Sequence, residues 1–182
     1  MVQINVSQLL KAPIGAIRQY DIDEAIEADG ATCQVKGDLQ LIRTDRGILA
    51  RGNLTTQVEL TCSRCLKRFT CPVALNIEEE YFPTIDVTTG LPVPPPEEVD
   101  SFTIDSNHIL DLTEAIRQYL LLAIPMKPLC REDCAGLCPS CGANLNEAPC
   151  GCPPPPADSR WSKLLEAVAE KDTSINKQKE TE

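Results

Sequence analysis

Along residues 48–60, Ile48, Ala50, Gly52, Leu54, Thr56, Val58 and Leu60 alternate with Leu49, Arg51, Asn53, Thr55, Gln57 and Glu59. A period of two sends one set to a buried face and the other to water, so this stretch predicts a long strand. Residues 35–43 before it are also rich in β-formers. Between the two, Thr44-Asp45-Arg46-Gly47 supplies turn chemistry, with Gly47 free to take a positive φ at the bend, and the pair reads as a hairpin. The alternation returns at Phe69, Cys71, Val73, Leu75, Ile77, Glu79 and Tyr81, which predicts a third strand antiparallel to the second. Residues 2–6 and 16–22 are weaker candidates for the same sheet, and Phe102 with Ile104 for a short edge strand.

The period then changes. Leu112, Ala115, Ile116, Tyr119, Leu120 and Leu122 recur at helical spacing and predict a helix over 112–123 whose wide apolar face lies on the sheet. Asp111 and Glu114 hold the N-cap and N3 positions of a capping box, and Pro125 and Pro128 stop the helix. Residues 83–100 hold five prolines and four acidic residues without any period, and read as a loop or disordered arm. Pro153 to Pro156 form a stiff spacer. After it Asp158 caps a short helix with Trp161, Leu164, Leu165 and Val168 on one side, and 173–182 is a polar tail. The fold class is therefore α+β. An antiparallel sheet, open or curled toward a barrel, packs with one main helix and is followed by a cysteine-rich zinc-knuckle segment and a short terminal helix. Three parts result: a sheet core over 1–128 that includes the helix 112–123 and the acidic, proline-rich loop 83–100, a cysteine-rich segment over 129–156 tied to it, and the helix and tail over 157–182.

Composition sharpens this reading. A chain of 182 residues, 42% hydrophobic, can bury one core without disulfide staples. The first residues lack a basic segment followed by an apolar leader, and no apolar run approaches the length of a membrane span, so the expectation is a cytoplasmic, reducing setting with no membrane partner. The formal charge of −10 is unevenly spread. Residues 33–73 carry seven basic and three acidic side chains, whereas 74–111 carry nine acidic and no basic ones. The overall field opposes general nucleic-acid coating, and a docked, site-specific contact suits the basic sector better.

Eight of the ten cysteines form four close pairs: Cys62/Cys65, Cys130/Cys134, Cys138/Cys141 and Cys150/Cys152. Each spacing lets two sulfurs face one point, and four such hooks make two tetrahedral Zn²⁺ sites. Cys138-Pro-Ser-Cys141-Gly142 reads as a knuckle in which the glycine adopts the left-handed conformation, with Cys150 and Cys152 returning after eight residues. This assigns Cys138, Cys141, Cys150 and Cys152 to one site and Cys62, Cys65, Cys130 and Cys134 to another that ties the C-terminal segment to the sheet; it is one pairing among three. Cys71 reads as core, and Cys33 as a loop residue. With four thiolates and no open position, both sites are structural. The single histidine, His108, reads as a loop residue, no phosphate-binding or protease motif is present, and neither enzymatic activity nor a small-molecule substrate is expected.

In order along the chain, "TCSRCLKRF", "ILDLTEAIRQYLLLAIPMKPLC", "CREDCAGLCPSCGANLN", "CGC" and "DSRWSKLL" resemble the YceD family, described as large ribosomal RNA subunit accumulation proteins. The likeness spans about residues 34–165. It implies a non-enzymatic factor that supports accumulation of large-subunit (23S) rRNA and assembly of that subunit. Two readings then compete. In the first, Arg43, Arg46, Arg51, Arg64, Lys67 and Arg68 contact rRNA or a precursor particle. In the second, the protein is a zinc-stabilised adaptor or regulator whose acidic stretch binds a basic ribosomal protein.

Overall fold

The structure is a computed structural model and describes residues 1–28, 30–94 and 101–153. The chain divides into two compact units, Met1–Glu132 and Asp133–Glu182. The first contains β1 (Gln3–Asn5), α1 (Ser7–Leu10), β2 (Ile17–Ala28), β3 (Ala31–Arg43), β4 (Ile48–Thr61), β5 (Arg68–Pro83), β6 (Phe102–Ile104), β7 (Ile109–Asp111) and α2 (Thr113–Ala123). Five strands form one sheet in the order β2-β3-β4-β5-β6. The strands from β2 to β5 pair antiparallel, but β6 runs parallel to β5, so the sheet is mixed. Among the described residues β2 and β6 remain its edges, and it does not close into a barrel. The strand expected at residues 2–6 does not join this sheet either; β1 pairs with β7.

The period-two expectation holds along β4, where Ile48, Ala50, Leu54 and Val58 are buried and Arg51, Asn53, Thr55 and Gln57 are exposed. Thr56 is buried on the same face, and its hydroxyl donates to the Gln34 carbonyl at 2.8 Å, which meets the cost of burying it. β2 runs six residues beyond the expected 16–22. Ile22 and Ile26 reach the core while Asp21, Asp23 and Glu27 stay exposed, the charged pattern of an edge strand that discourages pairing with other chains. Cys33 lies on β3 and is buried, not in a loop. Gly47 is absent from the positive-φ positions. Its role is close approach, because a Cβ there would sit 2.1 Å from the Tyr81 carbonyl oxygen.

α2 matches the expected helix, and Ala115, Ile116 and Leu120 enter the core cluster with Leu39, Leu75 and Ile77. The expected capping box does not form, because the helix starts one residue later, with Leu112 at the N-cap and no side-chain cap bond. Asp111 accepts the Thr113 N–H at 2.8 Å, but Glu114 turns forward to Arg117 and Gln118 instead of back to the cap. Tyr119 fixes the helix to β5, its hydroxyl donating to the Glu79 carboxylate at 3.0 Å. Within the expected loop 83–100, part is ordered. The Asp86 carboxylate accepts the N–H groups of Thr88 and Thr89, the Asp86 N–H donates to the Leu91 carbonyl, and Ile85 bridges Pro92. A side chain closes this turn, so no hydrophobic period announces it.

The described part of the second unit, 133–153, contains no helix or strand; an isolated bridge joins Leu137 to Asn144. The short helix expected after Asp158 and the polar tail lie outside the described residues.

Candidate metal centre

β4 and β5 end in the knuckle Cys62-Ser63-Arg64-Cys65-Leu66-Lys67. Its loop is closed by the Leu66 N–H on the Cys62 carbonyl at 3.0 Å and the Cys62 N–H on the Lys67 carbonyl at 2.9 Å. The second knuckle repeats this closure. There the Gly142 N–H donates to the Cys138 carbonyl at 2.9 Å and the Cys138 N–H to the Ala143 carbonyl at 2.8 Å. In both, the residue after the second cysteine is left-handed, at φ 59° for Leu66 and 73° for Gly142. Glycine takes that conformation freely and leucine does not, so the first knuckle carries strain that its sequence does not signal.

The Ser63 N–H reaches the Pro128 carbonyl at 2.8 Å, which brings the segment after α2 alongside the first knuckle and puts the Cys65 and Cys130 sulfurs 3.6 Å apart. That distance is far beyond a disulfide bond and close to the sulfur–sulfur edge of about 3.8 Å expected of a tetrahedral site with Zn–S near ~2.3 Å. The sulfurs of Cys62, Cys65, Cys130 and Cys134 all lie within 4.8 Å of one another, and so do those of Cys138, Cys141, Cys150 and Cys152. Of the three possible pairings of hooks, the one that the spacing suggested brings its sulfurs together. Both quartets are compatible with a four-coordinate zinc ion.

The electrostatics fit ligands that bind as thiolates. Burial pushes the Cys62 thiol up, but backbone N–H groups of Cys65, Cys130 and Arg64 outweigh it and lower it to about 6. Backbone N–H groups of Cys141 and Ser140, with the Cys150 side chain, likewise lower Cys138 to about 6. The later members resist. Cys152 is pushed up to about 11 by its contact with Cys141, by burial and by Cys138. Once one thiolate has formed in such a cluster, the next costs more, and a divalent cation removes that penalty.

Asn146, held by Asn144, braces the chain at Cys134 and Ala135, and neither asparagine was evident from the cysteine pattern. Asn146 accepts the Ala135 N–H at 2.8 Å and donates to the Cys134 sulfur at 3.4 Å, while the Asn144 carbonyl group accepts from Asn146. The cue was the polar "NLNE" between two hooks, where a merely solvated loop has no need of two asparagines.

The basic candidates do not form one patch. Arg43, Arg46 and Arg51 lie near the β3–β4 turn, and Arg64, Lys67 and Arg68 lie at the opposite end of β4, a strand of 14 residues or about 45 Å at ordinary rise. Arg43 is half-buried and donates to the carbonyls of Leu10, Thr44 and Gly47. Arg46 pairs with Glu80 at 3.1 Å and Arg51 with Glu78 at 2.6 Å; Arg68 lies 3.7 Å from Glu59. Lys67 is exposed, and the Arg64 backbone N–H faces the Cys62 sulfur at 3.5 Å. His108 sits in a turn at φ 60°, outside both quartets.

A mixed sheet packed with one main helix, together with two clusters of four cysteine sulfurs, defines a cysteine-rich β-sheet protein. The chain belongs to the YceD family, whose model, described as large ribosomal RNA subunit accumulation protein YceD, matches residues 50–166. An uncharacterized protein of Mycobacterium tuberculosis is 32% identical over 140 residues, 75% of this chain and 63% of that protein. One of Mycobacterium leprae is 28% identical over 135 residues, 72% of this chain and 58% of its own length. The chloroplastic large ribosomal RNA subunit accumulation protein YCED homolog 1 of Arabidopsis thaliana is 27% identical over 153 residues, 68% of this chain and 44% of that protein. The chain thus spans less than two thirds of the length of these curated relatives. No solved structure matches it. Among the described residues no helix is long and apolar enough to cross a membrane.

Proposed function

We propose that this chain is a non-enzymatic, cytoplasmic factor that supports accumulation of large-subunit rRNA and assembly of that subunit, its fold completed by two structural zinc ions. Cys62, Cys65, Cys130 and Cys134 hold one ion, and Cys138, Cys141, Cys150 and Cys152 the other. Membership of the YceD family carries the functional reading. The close approach of each sulfur quartet supports the zinc. Four thiolates per ion leave no position for water, so the metal organises loops and performs no chemistry.

In the first form of this reading the protein touches rRNA of a precursor particle directly. One observation favours the other form, an adaptor that holds a basic ribosomal protein: glutamates already pair with Arg46, Arg51 and Arg68. The test is cosedimentation of the zinc-loaded chain with large-subunit precursors from native cells, in low and high salt and after ribonuclease. Association that falls with salt and with ribonuclease supports direct RNA contact. Association that survives ribonuclease on a ribosomal-protein subcomplex supports the adaptor. No association under any condition overturns both.

A further inference from the structure

Beside the β3–β4 turn the first unit carries a cleft of about 650 Å³, lined among others by Leu10, Arg43, Arg46, Phe82, Asp86 and Val93. The volume is that of small-ligand sites, and it exceeds what one nucleotide needs. Its lining carries two basic side chains, Arg43 and Arg46, and two acidic ones, Asp45 and Asp86. Arg43 is held by three neutral carbonyls through Nε and Nη1, and among the described residues it forms no ion pair with a carboxylate. A half-buried guanidinium fixed in this way, with Nη2 outside those bonds, suits a phosphate oxygen. The Arg46 guanidinium pairs with Glu80 at 3.1 Å through Nη2 and lies over the Phe82 ring at 5.3 Å; an ion-paired guanidinium keeps its planar face, and unpaired bases stack on such faces.

Asp86, also in the lining, spends only Oδ1 on its own turn, accepting from the Thr88 and Thr89 N–H groups and the Thr89 hydroxyl. Those bonds keep the carboxyl ionised by lowering its pKa. Oδ2 takes part in none of them. A carboxylate oxygen accepts from an exocyclic base amine, as cytosine N4 offers. Leu10, Phe82 and Val93 supply apolar lining.

We infer that this cleft holds one unpaired, amino-bearing nucleotide of an RNA strand, with its phosphate on Arg43, its base against Arg46 and the apolar lining, and its amino edge toward Asp86. This rests on the proposed work on rRNA and names the part contacted. A paired base is excluded, because its edge and both faces are already occupied in the duplex.

The test uses the full zinc-loaded chain and four probes: a short labelled oligocytidine, the matching oligouridine, a hairpin duplex, and cytidine 5′-monophosphate. Anisotropy and calorimetry should show oligocytidine binding at least tenfold tighter than oligouridine or the duplex. Val93→Trp, which fills the cleft, should weaken oligocytidine at least tenfold at an unchanged thermal midpoint. Asp86→Asn retains Oδ1 for the turn and should remove or reverse the preference for cytidine over uridine. Arg43→Gln should lower the salt slope by about one phosphate, and should it fail to fold, the other two variants decide. Oligocytidine binding that Val93→Trp leaves unchanged, or equal binding of the duplex, overturns the inference. Mononucleotide binding as tight as that of the strand also overturns it and assigns the cleft to a free nucleotide. If these results come with intact cosedimentation of the unaltered chain with precursors, the inference fails and the proposed function stands. If that cosedimentation is missing too, both fail.

Discussion

The two units bury different materials. Residues up to 132 enclose Val35, Leu39, Leu41, Ile48, Leu54, Leu75, Ile77, Tyr81 and Ile116, each almost inaccessible to water. In the described part of the second unit the buried side chains are Cys134 and Cys138, and its leucines, Leu137 and Leu145, are only half-buried. At about 25 cal/mol per Å² of buried apolar surface, the sheet unit has a driving force of its own and the cysteine unit has very little. Such a short loop needs another source of stability, and structural zinc in a small domain supplies on the order of 10 kcal/mol. One unit is built on an apolar core. The other, in its described part, is loops gathered around cysteines.

The largest test of this difference is removal of metal. The intact chain should contain two zinc ions, released by a thiol-reactive mercurial. After removal, amide signals of 133–153 should collapse while those of β2 to β5 keep their dispersion. One ion or none with free thiols rejects the two-site reading, and loss of the sheet signals rejects the contrast between the units. Acid should act in the same direction. A thiol lowered to about 6, as Cys62 and Cys138 are, contributes stability above its unfolded value near ~8.5 and loses it as pH falls through the folded one. Bound metal moves that loss to lower pH still. Zinc release followed with an indicator dye should therefore have its midpoint at or below pH 6, and a midpoint above 7 contradicts depressed thiols.

Single ligands give a smaller effect and a direction. Cys65 and Cys130 are 65 residues apart in sequence, whereas Cys138 to Cys152 is a short loop. By analogy with covalent cross-links, closing the longer loop restricts the unfolded chain by about 4 kcal/mol and the shorter by about 3. Cys62→Ser should accordingly lower the thermal midpoint of the sheet more than Cys138→Ser. The reverse order would mean that the first quartet does not act as a cross-link.

Next in size comes the basic sector. Arg51 is engaged by Glu78 across β4 and β5, whereas Lys67 is exposed and forms no ion pair among the described residues. If RNA meets the first knuckle, Lys67→Glu should reduce the salt slope of precursor association by about 1, and Arg51→Glu by less. A larger loss from Arg51→Glu would move the contact to the open face of the sheet.

Much of this architecture was legible because burial in strands and helices leaves a period. β4, β5 and α2 could be read from Ile48 to Ala123 by spacing alone, and the cysteine hooks by their intervals. What was missed lacks a period. The extension of β2 carries Asp23, Glu24 and Glu27, whose charges suit an edge strand but hide the strand pattern. α1 is four residues long, too short to show helical spacing although Leu9 and Leu10 are buried. The parallel pairing of β6 is set by the path of the chain from β5, not by Phe102 or Ile104 themselves. The ion pairs on Arg46 and Arg51 depend on cross-strand register, which no count of charges along a sequence supplies.

The smallest expected effect comes from the two knuckles themselves. They share the same closing hydrogen bonds, yet one places Gly142 and the other Leu66 in the left-handed region. For an L-residue that conformation costs roughly 1–2 kcal/mol, and Leu66 is 64% exposed, so its side chain regains little of this by packing. Leu66→Gly relieves the strain but gives the unfolded chain more freedom, an opposing contribution of about 0.4–1 kcal/mol. The balance should be a gain of between roughly zero and 1 kcal/mol in denaturant unfolding, with zinc content unchanged. If the variant is instead destabilised by more than about 1 kcal/mol, Leu66 packs in solution and the knuckles differ in more than their turn residue. If stability rises as expected while precursor association falls, the strained leucine is a contact residue, and the first knuckle holds its partner through an apolar side chain set between Arg64 and Lys67.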